Sequence, residues 1–242
     1  MSNVALFNQQ LPDYLKEVEL DDVTKALSGG GAQVKRIALG NNRFVLKVNG
    51  SEISKTNSDK LEVVIVNASK HISRVFYAKA WDPKGDVAPP DCWSNDGKTP
   101  DPKAENPQAK RCLECPQNIA GSGNGQSRAC RFQQRLAVVL ENNPEGDVLQ
   151  LTLPATSVFG KEDGDKRPLQ AYARYLAVQN PPINPEQIVT RMKFDTKAEA
   201  PKLHFAPTRW LTEDEYAIVK TQSESEDAKR AIQQNVAQQD GV

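Results

Sequence analysis

Four cysteines carry the strongest chemical signal in the sequence, in the spacing Cys92-x19-Cys112-x2-Cys115-x14-Cys130. Three fall within RCLECPQNIAGSGNGQSRAC, Arg111 to Cys130, and the fourth within PPDCWSNDG. Two cysteines separated by two residues can close one turn around a tetrahedral ion, each sulfur about 2.3 Å from the metal. Pro116 stiffens the chain after the second of them, and Gly121, Gly123 and Gly125 let the loop curl back so that Cys130 reaches the same ion. Four thiolates without a nearby histidine suit zinc, which accepts tetrahedral sulfur without redox chemistry, and four protein ligands leave no open position. The expectation is therefore one structural Zn2+ on Cys92, Cys112, Cys115 and Cys130. Two disulfides, a redox-active Cys-x2-Cys and an iron–sulfur cluster are the other readings of the same residues. A reducing compartment disfavours disulfides, and a redox pair normally opens a helix.

No constellation for covalent catalysis accompanies the cysteines. The chain lacks a Gly-x4-Gly-Lys-Ser/Thr phosphate loop, a His-Glu-x2-His pair and a Gly-x-Ser-x-Gly elbow. GSGNG at Gly121–Gly125 follows a cysteine knuckle rather than a strand, and loop curvature accounts for its glycines. His71 and His204 are far apart in sequence, each in or beside an expected strand. The chain reads as a binding protein and not an enzyme.

The expected strands say what it could bind. In SRVFYAKAW alternate residues share a face, which groups Tyr77, Lys79 and Trp81 and sets Arg74 and Phe76 opposite. Rings interleaved with cations suit single-stranded nucleic acid, because bases stack on the rings at about 1–3 kcal/mol each while cations follow the phosphates. Arg43 and Lys47 alternate with Phe44, Leu46 and Val48 in the same manner, and the cysteine segment adds Lys110, Arg111, Arg128, Arg131 and Arg135, with Trp93 beside the first ligand. The plainer reading is a packed core with a solvated cationic face. The charge distribution favours the first. Residues 1–30 carry five acids against two bases and residues 211–242 seven against three, so the neutral chain has a middle of +7.

These residues are positioned by a series of short elements. VKRIALG and RFVLKVNG form two strands around a tight turn at Gly40-Asn41-Asn42, followed by a polar loop. KLEVVIVNA and SRVFYAKAW follow, then the aperiodic cysteine segment, then RLAVVLE and DVLQLTLP. A helix over PLQAYARYLAVQN precedes the last strand pair, EQIVTRMKF and PKLHFAP. Thr212 and Glu215 make a capping box for a C-terminal helix. The fold class is mainly β with peripheral helices, most simply an OB-like antiparallel barrel. Three parts are expected: an acidic arm at 1–30, a core at 31–210 with a zinc-binding insertion at 82–131, and a helix with a mildly acidic tail at 211–242. The apolar runs VVIV and LAVVL are too short to span a bilayer, and the start MSNVALFNQQLPDYL has no signal-peptide pattern, so a cytoplasmic protein is expected.

Cys92-Trp93, the Cys-x2-Cys-Pro with Asn118 after it, the Gly-Ser-Gly loop, the closing Ala129-Cys130-Arg131 and the later LQLTLPATSVFG together resemble the zinc-containing single-stranded DNA-binding proteins of tailed bacteriophages. The likeness covers roughly residues 30–210. It implies an OB-type barrel with an inserted zinc subdomain, coating single strands in phage DNA replication and recombination within the infected host. It also implies that an acidic C-terminal tail contacts replication or recombination proteins. The alternative is a zinc-stabilised protein-interaction factor that binds a polymerase or another replication or transcription protein.

Overall fold

A computed structural model describes residues 35–48, 51–79 and 89–233. The expected N-terminal arm, Trp81, residues 82–88 of the insertion and the last nine residues lie outside the described residues. Among the described residues ten strands form one sheet: β1 (Lys35–Gly40), β2 (Arg43–Val48), β3 (Ser51–Lys55), β4 (Lys60–Ala68), β5 (Ser73–Phe76), β6 (Cys92–Ser94), β7 (Arg131–Leu140), β8 (Leu149–Pro154), β9 (Ile188–Phe194) and β10 (Leu203–Trp210). Eight lie in the order β10-β9-β4-β7-β8-β1-β2-β3, and β5 branches off, pairing with the start of β7 and with β6. Every pairing is antiparallel except β1 with β8. At the β1–β2 turn Asn41 and Asn42 hold φ of 50° and 56°, which asparagine tolerates better than most residues and which matches the twist of a two-residue hairpin.

Alternation along the strands makes two faces. The inner face carries Ile37, Leu39, Phe44, Val63, Ile65, Leu136, Val138, Leu151, Met192, Phe194 and Phe205, all buried in one cluster. The sheet curls around this cluster into an open half-barrel. Phe44 on β2 and Phe194 on β9 meet at 4.7 Å between ring centroids, although four strands separate β2 from β9 in the sheet order. Helix α1 (Ala155–Val158) and helix α2 (Leu169–Ala177) close the inner cluster, and the Tyr172 hydroxyl bonds Thr190 Oγ1 at 2.7 Å. The outer face carries Val64, Val66, Ala137, Val139, Val148 and Val189 over part of its area. That part is covered by α3 (Glu213–Glu224) and α4 (Glu226–Ala231), through Val219, Ala228 and Ala231.

Several elements differ from the sequence reading, which named neither β6 nor the short helix α1 and began β7 at Arg135 rather than Arg131. Ser51–Lys55, expected as a loop, is the edge strand β3; every residue of it is exposed, so no hydrophobic alternation announces it. The strand in SRVFYAKAW stops at Phe76, so the two-residue alternation does not carry through to Tyr77 and Lys79. The C-terminal helix breaks at Ser225, whose hydroxyl caps a second helix by accepting from the Ala228 amide at 3.1 Å. The expected capping box at Thr212 is present, with Glu215 returning to the Thr212 amide at 2.8 Å.

Arg209 on β10 ties α3 to the sheet. Its guanidinium donates to Glu215 at 2.8 Å and to Glu141 at 2.7 Å. The Arg209 bonds and the Thr212 amide hold the Glu215 carboxyl down at about 2, against its usual 4.5. A carboxylate depressed by folding adds stability above its unfolded pKa and loses it as pH falls toward the folded value. Wild-type melting temperature is therefore expected to fall between about pH 5 and pH 2. Glu215→Gln should melt lower than wild type at pH 7 and converge with it near pH 2; parallel melting curves across that range would remove Glu215 from the account.

Candidate nucleic-acid interface

The part of the outer face left open by α3 and α4 is cationic. On β7 the outward positions pass from Ala137 and Val139 beneath the helices to Arg135, Gln133 and Arg131 at the strand's start. Neighbouring strands continue the change: Thr152 is directly opposite Arg135, and Arg36 on β1 is opposite Gln150. Gln150 marks the border, donating to the Ala231 carbonyl at the end of α4 at 2.6 Å.

The cysteine segment folds over this open area and makes a groove of about 720 Å³. Its floor comes from β1, β7 and β8, one wall from Gln126–Arg128 and Cys130, and the far rim from α1 and from Ala200 and Pro201 in the β9–β10 connection. Four arginines line it, Arg36, Arg128, Arg131 and Arg135, with Tyr77 and Phe132; no carboxylate does so among the described residues. Arg36 and Arg135 are buried at the floor, while Arg128 and Arg131 are exposed at the rim. Arg135 Nη1 donates to Ser73 Oγ at 3.1 Å, and burial pulls its pKa down to about 10, still cationic at neutral pH. Tyr77 has its own pKa raised by burial, an effect opposed by the charges of Arg131 and Arg135.

The segment itself is built around sulfur. Beta strand β6 pairs with β5 in the register Phe76↔Cys92 and Val75↔Trp93. Cys112–Glu114 forms one 3-10 turn and Pro116–Asn118 a second, with Cys115 between them. Asn118 Nδ2 donates to the Cys112 carbonyl at 3.0 Å, and the Cys130 amide donates to the Gln117 carbonyl at 2.8 Å, which brings the closing cysteine back to the knuckle. Gly121, at φ 85°, reverses the loop between them. The only apolar cluster here among the described residues is Val75, Trp93 and Ala104.

All four cysteines line one cavity of about 10 Å³ beside that cluster. None is in a disulfide. Among the described residues no group of three or more His, Cys, Asp or Glu stands close enough together to hold a metal ion. The thiols nonetheless feel one another: burial raises Cys130 to about 11 and raises Cys92, and in both cases the charges of the other cysteines push the same way. Such a group disfavours thiolates until a cation joins it, and a coordinating cation deprotonates them outright. The donor set fits zinc, and a cavity that admits about one water-sized guest fits a single ion better than an iron–sulfur cluster. Cys130 lines both the cavity and the groove, so the sulfur centre and the cationic wall share a residue.

The residues expected to touch nucleic acid divide accordingly. Tyr77, Arg128 and Arg131 line the groove. Arg43 and Lys47 are on β2, next to β1, with Lys47 directly opposite Arg36 on the outer face. Lys79 is exposed just beyond Tyr77. Lys110 and Arg111 are exposed on the cysteine segment away from the groove, where Arg111 pairs with Glu114 at 3.3 Å. Trp93 corrects the expectation: it is 4% exposed and packs in the segment's small core, so it offers no face to a base. Sequence reasoning missed Arg36 and Phe132. The alternation of Arg36 with Ile37 and Leu39 in KRIALG, which sets it on the face opposite the core, was the available signal for Arg36.

Compared with protein-family models, curated proteins and solved structures, the chain has no significant match in any of the three.

Gly97 fastens the segment to the sheet. It sits at φ 70°, and a methyl group there would approach the Ile72 carbonyl oxygen to 2.5 Å. Gly97→Ala is expected to destabilise the fold by about 1–3 kcal/mol through backbone strain, read as a lower melting temperature. A variant melting with wild type would show that this contact yields freely.

Proposed function

We propose that the chain is a sequence-tolerant single-stranded DNA-binding protein that holds its strand in the arginine groove. The observation that supports this most is a groove lined by four arginines without a carboxylate among the described residues. Arginine suits the task because its planar fork meets phosphate oxygens in pairs and is weakly hydrated. Two of the four are at the floor, beneath a rim, and a flexible single strand can feed its phosphates down to them where a rigid duplex presents a convex surface. Tyr77, 41% exposed, supplies ring surface for stacking, which favours no base in particular. Binding of this kind is passive: the protein traps strands that have already opened. Coating of single strands during phage replication and recombination, an OB-like reading of the curled sheet, and tail contacts with replication proteins belong to the same proposal.

The proposal includes one structural zinc ion on Cys92, Cys112, Cys115 and Cys130. When bound, zinc supplies a four-point tie and no reaction. The chain's own residues do the rest: the two 3-10 turns present the knuckle, Gly121 returns the loop, and Arg128 and Arg131 flank Cys130 at the groove wall. A second reading, a zinc-stabilised protein-interaction factor, is favoured by Leu113 and Ile119, which are 78% and 62% exposed on the knuckle.

Titration of a labelled oligothymidylate at several salt concentrations tests the first reading. Affinity should fall steeply with salt, duplex of equal length should bind more weakly, and Arg128→Ala or Arg131→Ala should each flatten the slope by about 0.7. Absence of any anisotropy change at low salt would end the DNA reading and leave the interaction reading. Metal analysis should find one zinc per chain, and a strong chelator should expose four reactive thiols and lower the melting temperature. Protein that is metal-free as purified, with thiols reactive throughout, would refute the zinc.

A further inference from the structure

The cysteine cavity has a single charged neighbour among its described lining residues, Arg74 on β5. Its Nε and Nη1 are buried and have no hydrogen-bond partner. The guanidinium rests on the Phe132 ring at 4.1 Å from the centroid. A buried guanidinium with unmade hydrogen bonds is costly, because charged donors lose strong hydration. Neutral thiols are weak acceptors and would leave that cost in place. Thiolates would remove it. Four thiolates around a divalent cation carry a net charge of −2, buried at the edge of the sheet, and Arg74 is the cation placed to meet it.

We propose that Arg74 is the internal counter-ion of the cysteine centre, donating its buried N–H groups to thiolate sulfur when a divalent metal is bound. This rests on the zinc reading given above. The ring of Phe132, which lines the groove, fixes the guanidinium from the other side, so one side chain stands between the metal centre and the groove wall. Arg74 does not itself line the groove. It is a positioning residue that acts through the ligands.

Three substitutions separate charge from packing. Arg74→Met keeps an unbranched stem against Phe132 and removes the charge, Arg74→Gln keeps a neutral donor, and Arg74→Lys keeps the charge without the fork. The measurement is the rate of zinc transfer to a colorimetric chelator, at a temperature where circular dichroism shows each variant folded. Loss of a partner that orients and compensates metal ligands weakens retention by about 10–100-fold. Arg74→Met and Arg74→Gln should release zinc at least about tenfold faster than wild type, and Arg74→Lys should stay within about threefold. The salt slope for oligothymidylate should be unchanged in all three. Arg74→Met releasing zinc as slowly as wild type, or Arg74→Lys releasing it as fast as Arg74→Met, would overturn the counter-ion role and leave Arg74 as packing for Phe132. A flattened salt slope would overturn it in favour of a direct phosphate contact. Wild type without zinc would instead bring down the metal reading itself, a distinct outcome because it is seen before any variant is made.

Discussion

More than forty residues between β5 and β7 have to hold a defined shape with only Val75, Trp93 and Ala104 as their apolar cluster among the described residues. Three side chains bury too little surface to offset the conformational entropy of so long a segment. What converges instead is sulfur, four cysteines around one cavity, with backbone bonds such as Cys130 to Gln117 and Cys112 to Lys98 tying the turns together. The groove depends on this constraint, because its upper wall is the stretch that ends at Cys130. The backbone bond from Cys130 to the Gln117 carbonyl fastens that stretch to the knuckle, between Arg128 and Arg131.

The sheet contributes the other half by dividing its outer face. Within single strands the outward positions change from valine and alanine to arginine and glutamine, and the cover changes with them. Alpha helices α3 and α4 seal the apolar part; the cysteine segment arches over the polar part and leaves it accessible. Gln150 stands on the border and uses its amide to finish the end of α4. Arg36 and Arg135 thus sit at the foot of a cleft with low-dielectric walls, where a cation attracts an anion more strongly than it would on an open surface.

The two centres meet at Cys130 and across the Arg74–Phe132 contact. A protein whose partner is a polyanion gains from a rigid wall, since fixed guanidinium groups lose less entropy on binding than free ones. In this arrangement Cys130 lines both the cysteine cavity and the groove, so the two are physically continuous.

By itself the sequence determined the mainly β class, the β1–β2 turn, most strand positions, the helix at 169–177, the capping box at Thr212 and the candidate ligand set. Each of these is written locally, in hydrophobic alternation, turn residues or cysteine spacing. It placed Tyr77, Arg128 and Arg131 among the binding residues because cations and rings cluster there in the chain. Only the tertiary structure decided the rest. Strand β3 was invisible because an exposed edge strand has no buried face to set a period. Trp93 looked like a stacking ring and is core, because burial depends on what packs against a residue. Arg36 came to the groove from a distant strand through the β1–β8 pairing, a register that no local pattern encodes. The curl of the sheet and the cleft beneath the cysteine segment arise from contacts between residues far apart in sequence, which is why they had to be seen.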